Sequence, residues 1–236
     1  MNRIAYMVFR NILNVPRWFW GVWKLGRQND KHTDKERYDY LRNIVIKINK
    51  SGRVNIKSSG VDNIPTEEGF ILFPNHQGLF DMLALIETCP HPLRVVIKKE
   101  VANVILVKQV IELLRGSFMD RQDIRSSMEI IHRMSEEVKS GKNYVIFAEG
   151  TRSREGNQIL NFKAGTFKSA VNAKCPIVPV ALINSFQPFD VSSIKEVNVQ
   201  VHYLEPISYN QYMGMKTMEI ADVVHNRIQE KINENM

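Results

Sequence analysis

Phe70-Ile71-Leu72-Phe73-Pro74-Asn75-His76-Gln77-Gly78-Leu79-Phe80-Asp81-Met82-Leu83-Ala84-Leu85 is the stretch on which the reading of this 236-residue chain turns. Phe70–Phe73 is a short apolar run of strand type, Pro74 and Gly78 punctuate it, and Phe80–Cys89 is an apolar helix. A strand that passes through a turn into a helix is a unit of an α/β sheet. It puts His76 at the carboxyl end of a strand, where the sites of α/β sheets lie, and Asp81 in the first turn of the helix. Five residues apart on one regular helix the two would diverge. With His76 still in the loop, the turn can bring the carboxylate back to an imidazole nitrogen. Imidazole backed by carboxylate is the base-and-orienter half of a catalytic triad. An Asp at a helix start also serves as a plain N-terminal charge, so the pair takes its weight from what accompanies it.

Outward from this unit the alternation continues. Strands are expected at Val54–Ser58, Phe70–Phe73, Arg94–Ile97, Tyr144–Phe147, Ile177–Ala181 and Val197–Tyr203. Helices are expected at Phe80–Cys89, Val101–Leu114, Ile124–Ser140, Thr166–Ala173 and Thr217–Asn235. Strands interleaved with long helices indicate an α/β sheet. Residues 28–43 are polar and read as a connector or a short surface helix. They set off an N-terminal segment, 1–43, from a main domain, 44–236, which is long enough for one sizeable core.

Three further stretches carry chemical groups. In residues 143–156, an apolar strand ends in Glu149-Gly150-Thr151-Arg152. Gly150 lets backbone approach a ligand, and Arg152 offers a planar fork suited to phosphate; a turn with a surface Arg reads the same way. Met119-Asp120-Arg121 precedes a helix that Asp120 or Asp123 can cap, with Arg121 as a cation beside it. Phe162-Lys163-Ala164-Gly165-Thr166 sets a Lys beside a Gly at a helix start, a place for an anion. No GxSxG elbow, GxxxxGK[ST] loop or GxGxxG is present. His32, His91, His132, His202 and His225 form no metal-binding pattern, and no metal or cofactor is expected. Cys89 and Cys175 have no CxxC partner and read as structural, which fits a reducing compartment.

The net charge of +7 is uneven. Residues 1–60 hold 13 Lys/Arg and 4 Asp/Glu, or +9, and the remainder hold 19 and 21, or −2. A basic quarter on a near-neutral body calls for nucleic acid, an anionic membrane or an acidic carrier protein. The first 27 residues choose between these. Arg3, Arg10, Arg17 and Lys24 recur every seven residues, so a continuous helix lines them along one face. Pro16 kinks or divides that helix, and Trp18, Trp20 and Trp23, all the tryptophans of the chain, follow it. Cations on one face and Trp, Phe and Leu on another is the pattern of a helix lying in a membrane interface. The same pattern also fits a helix packed on the protein's own body. The apolar runs are too short to span a bilayer or to serve as a signal peptide. The aromatics form one apolar cluster rather than lining a basic groove, which argues against nucleic acid.

Taken in order, the motifs resemble those of the glycerolipid acyltransferases, in particular the 1-acyl-glycerol-3-phosphate (lysophosphatidate) acyltransferases. The likeness rests on Asn75-His76 with Asp81, Phe118-Met119-Asp120-Arg121, Phe147-Ala148-Glu149-Gly150-Thr151-Arg152-Ser153 and Val178-Pro179-Val180. Phe162-Lys163 with Gly165, and Ile97-Lys98-Lys99-Glu100, add to it. Ala148 stands where the family usually has Pro, and Gly78 where Ser is common, which bears on the acceptor pocket.

The resemblance implies a mixed α/β sheet flanked by helices with an N-terminal membrane-docking element. It implies acyl transfer from a thioester, on acyl-carrier protein or coenzyme A, to the sn-2 hydroxyl of 1-acyl-glycerol-3-phosphate, giving phosphatidate. His76 is then the base and Asp81 its partner. Glu149, Gly150, Thr151, Arg152, Arg121, Lys163 and Lys98 are candidates for holding the acceptor phosphate. Arg3, Arg10, Arg17, Trp18, Trp20, Trp23 and Lys24 are the expected membrane contacts, on an anionic cytoplasmic face. Glycerol-3-phosphate, another lysolipid or another lipid acceptor is the alternative, for an acyltransferase of the same superfamily. A lipid hydrolase or a non-catalytic membrane module would be a different class.

Overall fold

A computed structural model describes residues 2–28, 31–66, 69–100, 106–120 and 123–236. Among these, seven strands form one sheet: β1 (Val54–Ser59), β2 (Ile71–Pro74), β3 (Leu93–Lys98), β4 (Ser117–Met119), β5 (Asn143–Val145), β6 (Ile177–Ile183) and β7 (Val197–Tyr203). Their order is β1-β7-β6-β2-β5-β3-β4. Strands β2 to β6 run parallel, while β7 is antiparallel to β6 and parallel to β1, so the sheet is mixed.

The helices are α1 (Arg3–Arg10), α2 (Val15–Arg27), α3 (Asp34–Ser51), α4 (Asp81–Thr88), α5 (Val107–Leu113), α6 (Ile124–Lys139), α7 (Lys168–Ala173), α8 (Gln187–Asp190), α9 (Tyr209–Tyr212) and α10 (Thr217–Asn235). The period of two along each strand sorts side chains to the two faces. Phe70, Leu72, Val178, Val180 and Leu182 meet residues of α3, α4 and α5 in one core. Ile71, Phe73, Ile177, Ala181 and Ile183 meet residues of α6, α7 and α10 in the other. Strands buried on both faces read as unbroken apolar runs, as Ile177–Ile183 does.

Sequence and structure differ where local pattern is weak. The connector expected over residues 28–43 is, from Asp34 onward, the first half of α3. Thr33 caps it with Glu36 in a capping box, and Tyr38, Leu41, Ile44 and Val45 are buried. Its exposed face carries most of the charge and hides that stripe from a composition count. The helix crosses residue 43 without a break. The strand expected at Tyr144–Phe147 ends at Val145, and Ile146 makes one more bond, N–H to Leu72 O at 2.9 Å, before the chain turns away. The expected Thr166–Ala173 helix begins as a 3-10 turn, Ala164–Phe167, and continues as α7. The three-residue β4 is not among the expected strands. Residues 101–105 of the expected Val101–Leu114 helix lie outside the described residues, and α5 is its observed part.

The N-terminal helix is divided at Asn11–Asn14, with Pro16 in the first turn of α2, where a missing N–H costs nothing. The four cations therefore share no single helix face. Arg3 is turned inward and only 1% exposed. Its guanidinium donates to the carbonyls of Gly52 (2.6 Å), Lys195 (2.7 Å) and Pro188 (3.1 Å). Arg3 is thus a tie between α1 and the body, which corrects its expected place among the membrane contacts.

Candidate active site

Strand β2 lies between β5 and β6, and all three are parallel. The segments that leave their carboxyl ends, from Asn75, Ile146 and Asn184, therefore meet at one edge of the sheet, the usual place for a site. Asn75 begins the assembly. Pro74 ends β2 without an N–H to offer, and the buried Asn75 side chain continues the pairing instead. Its Nδ2 donates to Leu182 O (3.0 Å) and its Oδ1 accepts from Leu182 N–H (2.7 Å).

His76 follows. Its Nδ1 stands 2.7 Å from Asp81 Oδ2. Asp81 sits at the start of α4 and is fully buried. Its carboxylate also accepts the N–H groups of Gln77 (2.7 Å) and Gly78 (3.1 Å), and the hydroxyl of Ser185 approaches to 2.6 Å. A carboxylate facing that many donors is an acceptor, so Nδ1 carries the hydrogen and Nε2 keeps the lone pair. The His76 side chain is 22% exposed, so the imidazole reaches solvent at the mouth of the loop while its partner does not. The Phe147 ring packs on it, with centroids 4.2 Å apart and planes 30° apart, and limits its rotation.

The loop after β5 interlocks with the His76 loop through backbone groups. Glu149 Oε1 accepts His76 N–H at 2.6 Å, Oε2 accepts Leu160 N–H at 2.9 Å, and Ser153 N–H donates to His76 O at 3.0 Å. Glu149 is 2% exposed. Burial pushes its carboxyl above the usual range, and the two backbone N–H donors only partly offset that. A buried carboxylate occupied by backbone donors does not face an incoming phosphate. This corrects Glu149 from phosphate contact to clasp of the His76 loop.

Gly150 turns with φ +74°, and Lys163 lies so close that a Cβ at Gly150 would come within 2.8 Å of its Nζ. Lys163 N–H also donates to Ala148 O at 2.9 Å, so the structure joins the Lys163 turn to the Glu149-Gly150-Thr151-Arg152 loop. Thr151 is exposed on this loop. Arg152 is partly exposed, with Asp190 Oδ1 at 3.9 Å. Lys98 ends β3 on the same edge of the sheet and is exposed. Arg121 lies outside the described residues. Ala148 is buried in the second core. A Cβ at Gly78 would meet Phe186 Cα at 3.1 Å and Ser185 O at 3.4 Å, so this position faces the segment after β6. Sequence reasoning missed Asn75 as a strand extender, and Gln77, Asn157 and Ser185 as polar partners. No spacing rule marks a loop residue whose partner comes from another strand.

Arg10, Arg17, Trp20, Trp23 and Lys24 are exposed on α1 and α2, and Trp18 is half-buried against the core. No helix among the described residues is long and apolar enough to cross a membrane.

The geometry offers a positioned base with a free imidazole nitrogen, held by three loops, beside an Arg and a Lys. Comparison with known proteins gives the family. The family model described as Acyltransferase matches residues 55–183, more than half of the chain, from the second residue of β1 to the end of β6. A 1-acyl-sn-glycerol-3-phosphate acyltransferase of Borreliella burgdorferi is 26% identical over 76% of this chain and 72% of its own length. A probable 1-acyl-sn-glycerol-3-phosphate acyltransferase of Mycoplasma genitalium is 32% identical over 64% and 62%, respectively. The crystal structure of the 1-acyl-sn-glycerophosphate acyltransferase PlsC from Thermotoga maritima superposes with a TM-score of 0.76, over 99% of this chain and 97% of that one. At 18% identity this last likeness speaks for the fold, a mixed sheet flanked by helices. With its site residues inside the matched segment, the chain belongs to the acyltransferase family.

Proposed function

We propose that this acyltransferase moves a fatty acyl group from a thioester to the sn-2 hydroxyl of 1-acyl-glycerol-3-phosphate, giving phosphatidate. The observation that carries the mechanism is the His76–Asp81 hydrogen bond of 2.7 Å, which in the neutral imidazole places the hydrogen on Nδ1 and the lone pair on Nε2. Nε2 takes the proton of the acceptor hydroxyl as its oxygen attacks the thioester carbonyl carbon. A new C–O bond forms, the C–S bond breaks, and the departing thiolate recovers the proton from the imidazolium. Asp81 stays ionised and stabilises the imidazolium between the two steps. Transfer is direct, without an acyl-enzyme. Arg152 holds the acceptor phosphate, with Lys163 on the Gly150 turn and Lys98 adding positive charge. Displacing Asp190 from Arg152 accompanies acceptor binding. The names of the Borreliella burgdorferi and Mycoplasma genitalium relatives support lysophosphatidate as acceptor. The donor is acyl-carrier protein or acyl-coenzyme A.

The enzyme works at the surface of an anionic membrane, on its cytoplasmic face, docked by α1 and α2. Phe9 on α1, Ile12 and Leu13 in the turn after it, and Trp20 on α2 are all more than half exposed, and Leu13 reaches 90%. Contiguous apolar exposure of this kind marks an interaction surface. Cations frame it: Lys24 Nζ lies 4.8 Å from the Trp20 ring centroid and Arg27 Cζ 4.7 Å from that of Trp23. This arrangement suits headgroup level, with rings in the interface and charges at phosphates.

The test is transfer from a radiolabelled palmitoyl thioester to lysophosphatidate in detergent micelles, with each donor in turn. Labelled phosphatidate is the expected product. Transfer to glycerol-3-phosphate but not to lysophosphatidate would overturn the acceptor assignment, and a trapped acyl-enzyme would overturn direct transfer. For docking, Phe9→Glu with Leu13→Glu is expected to loosen binding to vesicles containing anionic phospholipid. Unchanged binding refutes it.

A further inference from the structure

Asp81 has a partner from a segment that carries no motif and lies just beyond the family-matched residues 55–183. The chain leaving β6 turns at Asn184, with φ +62°, and buries Ser185 completely. Ser185 Oγ stands 2.6 Å from Asp81 Oδ1, the length of a hydroxyl bonded to an ionised carboxylate.

The surrounding amides decide which way the hydroxyl hydrogen points. Gln77 Oε1 accepts Ser185 N–H at 3.0 Å, and Gln77 Nε2 donates to Asn157 Oδ1 at 2.9 Å. Asn157 Oδ1 also accepts Asn184 N–H at 2.8 Å, and Asn157 Nδ2 reaches Asn184 Oδ1 at 3.1 Å. Both amides are thereby fixed in orientation. Ser185 Oγ then faces two acceptors, Gln77 Oε1 at 2.9 Å and Asp81 Oδ1 at 2.6 Å. The nearer and ionised one takes the hydrogen. Gly78 makes the approach possible, because a side chain there would press on the Phe186 and Ser185 backbone.

We infer that Ser185 is a positioning residue of the His76–Asp81 pair, its hydroxyl and the Gln77 and Gly78 N–H groups fixing the Asp81 carboxylate so that Oδ2 stays aimed at His76 Nδ1. The inference rests on the reading of His76 as the base. Neighbouring charged groups are His76 on the same loop, Glu149 from the β5 loop, and Asp190 of α8, which approaches Gly78 and pairs with Arg152. Ser185 and Asp81 are both buried, so a Ser185→Ala variant leaves the carboxylate with one side-chain donor fewer. Without that donor the carboxylate keeps more negative charge and holds the imidazolium more tightly, so the base frees itself only at higher pH.

The test compares wild type, Ser185→Ala, Ser185→Thr and His76→Ala, each checked by circular dichroism melting, across pH. Ser185→Ala is expected to lose about ten- to a hundredfold in kcat, the worth of a hydrogen bond to a charged group, with KM little changed. The acid limb of its kcat/KM profile is expected to move to higher pH, and Ser185→Thr, which keeps the hydroxyl, to restore both. If Ser185→Ala melts below the assay temperature, Ser185→Cys, similar in size and a weak donor, takes its place with the same expectation. A uniform drop at every pH, or wild-type kinetics, overturns the positioning role. A fully active His76→Ala instead overturns the base reading and the Ser185 role with it, whereas inactive His76→Ala beside unchanged Ser185→Ala overturns the Ser185 role alone.

Discussion

The sheet holds a carboxylate at each end, and the two are held in opposite ways. At the carboxyl end, Asp81 is surrounded by uncharged donors, two peptide N–H groups and a hydroxyl, plus one imidazole. At the amino end, Asp34 is surrounded by fixed cations: Arg94 at 2.8 Å, Arg37 at 3.1 Å, Arg115 at 3.3 Å and Lys142 at 3.6 Å. Arg94 continues that network to Glu137, which also accepts the Tyr144 hydroxyl. Neutral donors fix a carboxylate in place without setting a permanent positive charge beside the base. On the proposed mechanism His76 gains and loses a proton in every cycle, with Asp81 responding to that proton alone. Permanent cations around Asp34 join α3, β3, the turn after α5 and the turn before β5, and nothing there needs to change charge. On that proposal one end serves proton transfer and the other cohesion.

The largest effect that separates the two ends is on turnover. His76→Ala is expected to lower kcat by about 10²–10⁴-fold, the usual worth of a positioned general base. The melting temperature should stay close to wild type, because the side chain is partly exposed and leaves Asp81 with its other donors. Asp34→Ala should do the reverse. Four cations lose their shared anion in a mostly buried setting, and breaking such a network costs about 3 kcal/mol of stability. Activity measured well below the melting temperature should stay near wild type. A variant at either end that damaged both quantities equally would break the division.

Glu149→Gln sharpens it. The amide keeps the shape of the carboxylate but turns an NH₂ toward one of two backbone N–H donors, His76 or Leu160. The His76 loop should loosen, with kcat falling about tenfold for the loss of one charge-assisted bond and KM for lysophosphatidate changing less. A large rise in KM with unchanged kcat would return Glu149 to the phosphate site.

What was legible in the sequence followed from local period and spacing. The unit β2–loop–α4 declared itself through an apolar run, a proline, a glycine and an apolar helix, and the turn between them does bring Asp81 to His76. Illegible features depended on partners far away in the chain. Ser185 meets Asp81 across 104 residues, and nothing near Ser185 announces it. Arg3 shares a seven-residue rhythm with three other cations, yet carbonyls from residues 52, 188 and 195 draw it inward. Glu149 stands in sequence among the candidates for the acceptor phosphate, while backbone N–H groups of His76 and Leu160 occupy its carboxylate. α3 was obscured by its own exposed face.

The smallest expected effect is a difference in sign with pH. Burial by itself would raise the Asp34 carboxyl, but the hydrogen bond from Arg94 and the charges of Arg94, Arg115 and Lys142 outweigh it, and the net direction is downward. Asp34 therefore contributes stability that is present above the unfolded value of about 3.9 and is lost as pH falls through its lower folded value. Glu149 is displaced upward, mainly by burial. Its protonated form is favoured in the folded state, so its contribution is full below the unfolded value of about 4.3 and is lost as pH rises through the raised one. The melting difference between wild type and Asp34→Asn should shrink as pH is lowered from 5 toward about 3, where the unfolded carboxylate also takes up its proton. The difference between wild type and Glu149→Gln should change in the opposite sense over the window just above about pH 4.3, with wild type gaining as pH falls. Parallel shifts in both variants would mean that the two carboxylates are held alike, and the contrast between the ends of the sheet would fail.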